Sequence, residues 1–210
     1  MINHRIKIFR KIYIFVIAFS TLPLLLVSSR CVNSLEFPEL LFWVVLLAAS
    51  DFKPILRLKD KEISEITVSF VAQISAIMLL GARKTVWIVI ISTLIVGFAT
   101  KKPFYRIFFN AGVYALSLII SDYLFRLLKM SPENVTLDII LDMPAIIVAA
   151  TSYLLLKMFF ISVAVSLASG NRFLSVFFSD FNTLTYYFCT LTPISMVITI
   201  LYNPSRPYII

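Results

Sequence analysis

Four polar side chains lie inside long apolar stretches of this 210-residue sequence, and they are the residues best placed for chemistry. They are Asn110, Tyr114, Asp122 and Lys157. A charge at membrane depth is costly, so it generally faces the interior of a helix bundle or a water-filled cavity. We predict that the four residues form an intramembrane polar site. The alternative is that the charged side chains snorkel to the nearer membrane interface.

Helical geometry argues against a direct pair between the two charges. Asp122 lies six residues from the end of its apolar block, which is roughly 9 Å at 1.5 Å per residue. Lys157 lies thirteen residues beyond Pro144, roughly 20 Å from the same side of the membrane. Helix tilt and long side chains reduce this gap, so a direct pair stays open as the less favoured alternative. Asn110 is interpreted as a residue that hydrogen-bonds across helices.

The remaining reactive residue types give no recognisable catalytic arrangement. Cys31 and Cys189 are the only cysteines; a disulfide between them is open, but packing as small apolar side chains is the commoner role. His4 is the single histidine and lies in a basic segment. The sequence contains no glycine-rich phosphate loop, no His-Glu-x-x-His and no Gly-x-Ser-x-Gly. We therefore predict no catalytic residues, no metal and no cofactor, and a protein that is not an enzyme.

The segments that must position these residues are apolar. Hydrophobic residues make up 60% of the chain and charged residues 14%, and the mean hydropathy is +0.95. A soluble domain carries about a quarter charged residues. Backbone groups in lipid must be hydrogen-bonded within the spanning structure, which favours helices where no alternating strand pattern occurs. The predicted fold class is therefore all-α, a polytopic transmembrane helical bundle of about seven helices.

The apolar residues form seven blocks, which cover 12–27, 38–50, 66–80, 85–99, 107–128, 139–168 and 184–202. The second block is short for a membrane span, because about 20 residues are typical. Gly81 is predicted to break the third block from the fourth, Pro193 to kink the seventh, and residues 66–70 to begin in an extended conformation. The segment 169–182 is predicted to be a loop.

Domain limits and orientation follow from the charged residues. We predict a basic cytoplasmic tail over 1–11, one transmembrane domain over 12–202 and a short tail over 203–210. The net charge is +8, and Lys and Arg favour the loops on the side of the N-terminus by roughly two to one, which predicts a cytoplasmic N-terminus. The lipid bilayer is the expected partner, and nucleic acid is not. Seven spans would place the C-terminal end outside, away from cytoplasmic enzymes.

Three stretches resemble a known family. The first is Glu-Ile-Ser-Glu-Ile-Thr-Val-Ser-Phe at 62–70, followed by Leu-Leu-Gly at 79–81. The second is Lys-Pro-Phe-Tyr-Arg-Ile-Phe-Phe-Asn-Ala-Gly-Val-Tyr-Ala-Leu-Ser at 102–117, and the third is the long sixth block ending in Leu-Ala-Ser-Gly at 167–170, with a Pro-containing helix after it. Together they resemble the N-terminal membrane region of bacterial HD-GYP and GGDEF proteins of cyclic-di-GMP signalling.

The resemblance covers most of the chain from about Pro38 onward and has two departures. Such regions usually continue into one more helix and a cytoplasmic enzyme domain, and Lys157 stands where the pattern has Asn. The resemblance implies a sensory or anchoring module of the bacterial cytoplasmic membrane, which contacts another membrane or signalling protein through its helices. Two alternatives stay open: a substrate-binding subunit of a vitamin uptake system, whose cavity the four polar residues would line, and a structural membrane subunit. The ligand is not specified by the sequence.

Overall fold

The computed structural model describes residues 2–29, 37–52, 56–57, 65–66, 69–130, 139–179, 191–199 and 201. The helices are α1 (Ile2–Ser29), α2 (Phe37–Phe52), α3 (Ser69–Ala99), α4 (Phe104–Leu128), α5 (Ile139–Ser169) and α6 (Phe173–Ser179). A further helical segment covers 191–199. Between α2 and α3, the two-residue strands β1 (Leu56–Arg57) and β2 (Glu65–Ile66) pair antiparallel. The predicted all-α bundle is confirmed.

Four helical stretches of the described chain are long and apolar enough to cross a membrane. They are Ile8–Leu26, Ser69–Ala99, Phe104–Leu128 and Leu141–Ser169. The 16 residues of α2 rise about 24 Å, less than the roughly 30 Å of a bilayer core. The second helix is thus as short as the sequence predicts.

Helix α3 joins the third and fourth apolar blocks, but it is not one straight rod. Gly81 has φ 74° and ψ 166°, a combination that is essentially restricted to glycine. After this break, Ala82 contacts Asp122, and Gly97 packs on Ile107. The second half of α3 therefore runs antiparallel to α4, and the predicted break at Gly81 is confirmed.

The first half of α3 folds back towards the middle of the bundle. The Tyr153 hydroxyl of α5 hydrogen-bonds the Gln73 side chain, and Phe70 stacks on the Tyr153 ring with centroids 6.0 Å apart. The neighbouring Ser152 contacts Ser121 of α4 at 3.1 Å. A straight α3 would carry Gln73 about 12 Å beyond Gly81, out of reach of Tyr153. The chain therefore reverses direction at Gly81.

Two apolar clusters hold the helices together. The larger joins α2, α3, α4 and α5, and its fully buried side chains include Trp43, Leu47, Ile74, Ile88, Leu118 and Ile146. The smaller joins α1 to α4 through Ile17, Phe109 and Val113. Large apolar side chains such as Phe15 and Phe19 remain exposed on the outer face of α1. An apolar exterior around a packed interior is the arrangement expected in lipid.

Several boundaries differ from the sequence prediction. Helix α1 begins at Ile2, before the first apolar block, and its candidate membrane span begins at Ile8; the cytoplasmic tail over 1–11 stays a prediction. Helix α5 (Ile139–Ser169), in contrast, agrees with the sixth block 139–168 and contains Pro144 near its start. Helix α6 lies within the predicted loop 169–182. Of the predicted extended start at 66–70, Ile66 lies in β2, whereas Ser69 and Phe70 already belong to α3.

Some predictions fall outside the described residues. They concern Cys31, Cys189, the tail 203–210 and the start of the seventh block at 184–190. Residue Pro193 lies in the helical segment 191–199.

Candidate functional site

Three of the four predicted site residues meet on the inner faces of α4 and α5. Asn110 and Tyr114 are four residues apart on α4 and so share one face of the helix. The Lys157 ammonium lies 4.5 Å from the centroid of the Tyr114 ring. This is a cation–π contact, in which the negative face of the ring attracts the ammonium. Lys157 thus contacts Tyr114 across the interface of the two helices.

Asp51 adds a charge that sequence reasoning did not assign to the site. It lies in the last turn of α2, and its carboxylate interacts electrostatically with Lys157 and with Tyr153. An aspartate at the end of an apolar block usually marks the end of a helix, so its position did not suggest a role in the site. The shortness of α2 was the available signal, because a short helix can end inside the bundle.

A small cavity lies where the ends of α2 and α3 meet the beginning of α4. Its volume is about 50 Å³, and it is lined by Asp51, Thr93, Val96, Gly97, Lys102, Ile107, Asn110 and Tyr114. On this measure, which counts the space open to the centre of a water molecule, about 10–15 Å³ suffices for one water. The cavity therefore has room for a few water molecules or a small polar group.

Thr93 is a polar residue of this cavity whose hydrogen-bonding capacity is unmet. The Thr93 hydroxyl is buried and has no hydrogen-bond partner. Buried polar groups in proteins normally bind a protein group, a water molecule or an ion. A water molecule or a polar ligand in the cavity would satisfy the Thr93 hydroxyl.

Asp122, the fourth predicted site residue, belongs to a different place. It lies eight residues beyond Tyr114 on α4, about 12 Å along the helix. Its carboxylate accepts hydrogen bonds from the Ala82 backbone N–H at 3.3 Å and from Arg126 Nε at 2.7 Å. Ala82 opens the second half of α3, so Asp122 stabilises the start of that helix. The less favoured pair between Asp122 and Lys157 is not formed.

A buried polar pair lies next to the site. Tyr153 and Gln73 are 0% and 1% exposed, and their side chains hydrogen-bond each other. Gln73 within an apolar block was the sequence signal for this pair. Tyr153 lies four residues before Lys157 on α5, so the two share one face of the helix, and the pair connects this face to the first half of α3.

Comparison with known proteins gives one family and no close relative. The MASE9 family matches residues 14–206. No curated protein and no solved structure matches the chain significantly. The match covers α2, α3, α4 and α5, which together carry all the residues of the site. The chain therefore belongs to MASE9, a family of membrane-associated sensor domains.

Proposed function

We propose that the chain is a non-enzymatic sensory region of the bacterial cytoplasmic membrane, which acts on a cyclic-di-GMP signalling output. The observation that carries the proposal is the contact of Lys157 with Tyr114 beside Asp51, inside the bundle of a sensor family. Charged groups within membrane-spanning helices are rare, and they commonly mark a binding site or a conformational relay. An input to the protein is therefore expected at this cluster.

The contacts of Tyr153 supply a route from the cluster to the last helical segment. Tyr153 bonds Gln73 on the first half of α3. On the same half, the Ser75 hydroxyl donates to the Ser195 carbonyl at 2.9 Å. A change at Tyr153, on the same face of α5 as Lys157, can therefore pass through α3 to the segment 191–199. Continuous packed contacts of this kind are the physical requirement for coupling between sites.

The proposal is tested in cells of the native host. Deletion of the gene should change the cellular level of cyclic di-GMP, and the wild-type chain should restore it. Asp51→Asn should not restore the level, because it removes the charge at the cluster. Glu39→Gln removes a carboxylate near the start of the same helix and should behave as wild type. An unchanged cyclic-di-GMP level after deletion would contradict the signalling role.

The size of the cavity supports a sensory role over vitamin uptake. Sites for drug-sized or cofactor-sized molecules enclose about 300–1,000 Å³. The cavity at the cluster holds about 50 Å³. A vitamin would need several side chains to move apart before it could bind there.

The non-enzymatic part of the proposal has its own test. Membranes that contain only this protein are expected to neither synthesise nor hydrolyse cyclic di-GMP. The comparison is with membranes lacking the protein. Turnover above that control, lost on substitution of Asp122 or Lys157, would reveal an active site.

A further inference from the structure

We propose that α6 is an interfacial helix, which inserts Leu174 and Phe178 among the lipid acyl chains at the membrane edge and directs Arg172 towards the lipid headgroups. Its partner is the bilayer surface on the side where α4 begins. This surface goes beyond the proposed sensory function and does not depend on the cluster around Lys157.

The chain turns back at the end of α5 and returns along the same helix. Gly170 follows α5 with φ 75°, a conformation that favours glycine. The Phe173 ring then packs on the Phe159 ring with centroids 5.6 Å apart. Phe159 lies ten residues before Ser169, the last residue of α5, which is about 15 Å along the helix. The beginning of α6 therefore lies beside α5, and not beyond its end.

The contact with Phe159 places α6 at membrane depth. Phe159 is 46% exposed and belongs to the candidate membrane span Leu141–Ser169. Helix α5 runs antiparallel to α4, and the contact of Lys157 with Tyr114 puts Phe159 level with about residue 112 of α4. This level is roughly 12 Å from the start of α4. Interfacial helices bury their apolar faces about 5–10 Å deep, so the depth of the contact suits such a helix.

The sequence of α6 is amphipathic in the way that an interface requires. Arg172, Ser175 and Ser179 are spaced i, i+3 and i+7, and so they share one face. Arg172 belongs to this face because its carbonyl accepts the hydrogen bond of the Val176 backbone N–H at 3.2 Å. A polar or basic face opposite an aromatic and aliphatic face is typical of helices that lie in the membrane interface. The other residues of α6 are all apolar: Phe173, Leu174, Val176, Phe177 and Phe178.

Part of the apolar face of α6 is open to the surroundings. Phe173 packs on Phe159 of α5 and on Phe177. Leu174 and Phe178 form a second ridge, four residues apart on another side of the helix, and they are 62% and 59% exposed. Because α6 lies at membrane depth, acyl chains are the apolar surroundings that cover this ridge.

Arg172 gives the surface a preference for anionic lipid. The residue is exposed, and a guanidinium binds phosphate oxygens through two parallel hydrogen bonds. The turn that carries Lys101 and Lys102 precedes α4 on the same side of the membrane. Basic residues at a membrane surface are attracted to anionic headgroups. The positive charges on this side therefore hold α6 against the headgroup layer.

The test is spin labelling of the full-length chain in phosphatidylcholine vesicles. The background carries Cys31→Ala and Cys189→Ala, so that one introduced cysteine takes the label. Accessibility is measured to oxygen, which concentrates in lipid, and to a water-soluble nickel complex. Phe19→Cys on the exposed face of α1 is the lipid reference, and Lys101→Cys in the exposed turn before α4 is the water reference.

The expected result follows the two faces of α6. Labels at Leu174→Cys and Phe178→Cys should have an oxygen-to-nickel ratio several-fold above the water reference and close to the lipid reference. Labels at Ser175→Cys and Ser179→Cys should have a ratio close to the water reference. These matched positions differ by one residue from the lipid-facing ones, so a general change in the fold would not separate them.

Three results would overturn the inference. Ratios at Leu174 and Phe178 equal to the water reference would place α6 in water. Low accessibility to both reagents at these two positions would mean that protein covers the ridge. Lipid-like ratios at Ser175 and Ser179 as well would mean that α6 is submerged in the bilayer. If the cysteine-free chain does not fold, benzoylphenylalanine at position 174 of the otherwise native chain should crosslink to phospholipid on illumination, and at position 175 it should not.

The headgroup contact has a separate measurement. Vesicles that contain phosphatidylglycerol in addition to phosphatidylcholine should raise the oxygen-to-nickel ratio of the label at Leu174. Arg172→Gln should abolish this rise and leave the ratio in phosphatidylcholine unchanged. An Arg172→Gln chain that responds to phosphatidylglycerol as the parent chain does would overturn the role of Arg172.

Discussion

Lys157 illustrates how a single charge is accommodated inside the bundle. Its ammonium contacts the face of Tyr114 and lies within electrostatic reach of Asp51. A buried charge without compensation would cost several kcal/mol. The ring and the carboxylate supply that compensation from two other helices, so Lys157 links α2, α4 and α5. The ammonium is thus directed at protein groups, whereas the snorkelling alternative would direct it to the interface.

The contact between Lys157 and Tyr114 predicts a measurable coupling energy. Lys157→Met and Tyr114→Leu, alone and combined, should give a coupling of about 0.5–2 kcal/mol in the free energy of unfolding, because a cation–π contact contributes that much. Chemical unfolding in detergent measures it. Tyr123 is 65% exposed on the same helix, so Tyr123→Leu should be additive with Lys157→Met. Additivity at Tyr114 as well would contradict the contact.

Asp122 is predicted to act through its hydrogen bond to Ala82 more than through its ion pair with Arg126. Arg126 is 65% exposed, and exposed ion pairs contribute about 0–1 kcal/mol. The Ala82 bond is buried, and the loss of a charge-assisted bond costs about 1.5–3 kcal/mol. Unfolding measurements should therefore rank the destabilisation as Asp122→Ala, then Asp122→Asn, then Arg126→Met. An Arg126→Met as damaging as Asp122→Ala would reverse this assignment.

At the scale of elements, glycine sets how closely α1 approaches α4. A Cβ at Gly112 would collide with the backbone carbonyl of Ile17, whereas a Cβ at Gly97 would meet only the side chain of Ile107. Backbone cannot rotate away as a side chain can. The Asn-Ala-Gly segment at 110–112 thus combines a polar group for the site with a close helix crossing.

Gly112→Ala is therefore predicted to destabilise the bundle more than Gly97→Ala does. Overpacking costs about 1–3 kcal/mol, and alanine is the better helix former by about 1 kcal/mol at either position. The difference between the two variants thus reports the contact with α1. Unfolding in detergent measures it, and equal stability of the two variants would mean that α1 moves aside freely.

The elements were largely predictable because hydropathy alone marks their limits. The second block 38–50 became α2 with two or fewer residues changed at each end, and Gly81 was recognised by its position between apolar blocks. Helix α6 was missed because Gly170 and Arg172 indicate a loop, and seven residues give too short a pattern. Periodicity cannot reveal such a short helix.

The site was predictable only in part, because the positions of the helix ends are not readable from hydropathy. Asn110, Tyr114 and Lys157 stand out because they are polar within apolar blocks. Asp51 does not, because its inclusion depends on where α2 ends relative to α4 and α5. Asp122 stands out equally well but binds Ala82. Sequence therefore identifies the unusual residues, and tertiary packing decides which of them meet.

For the whole molecule, the contacts define the direction of each helix. Tyr13 packs on Phe109, and Ile17 lies against Gly112, so α1 and α4 run parallel. Helix α5 runs antiparallel to α4, because Ser121 contacts Ser152 whereas the earlier Tyr114 contacts the later Lys157. Together with the reversal at Gly81, this arrangement places the ends of α2 and α3 on the side where α1 and α4 begin.

The last prediction is that both ends of α3 lie on the same side of the membrane. By length alone, its 31 residues would count as one span, and the two ends of α3 would then face opposite sides. The reversal at Gly81 instead places both ends on one side. Reporters fused after Lys59 and after Lys102 should therefore both indicate the cytoplasm, where the loops rich in Lys and Arg are expected. A reporter after Pro132 should indicate the exterior, since α4 lies between. Opposite locations for Lys59 and Lys102 would mean that α3 crosses once and that the contacts of Gln73 with Tyr153 are not made in the membrane.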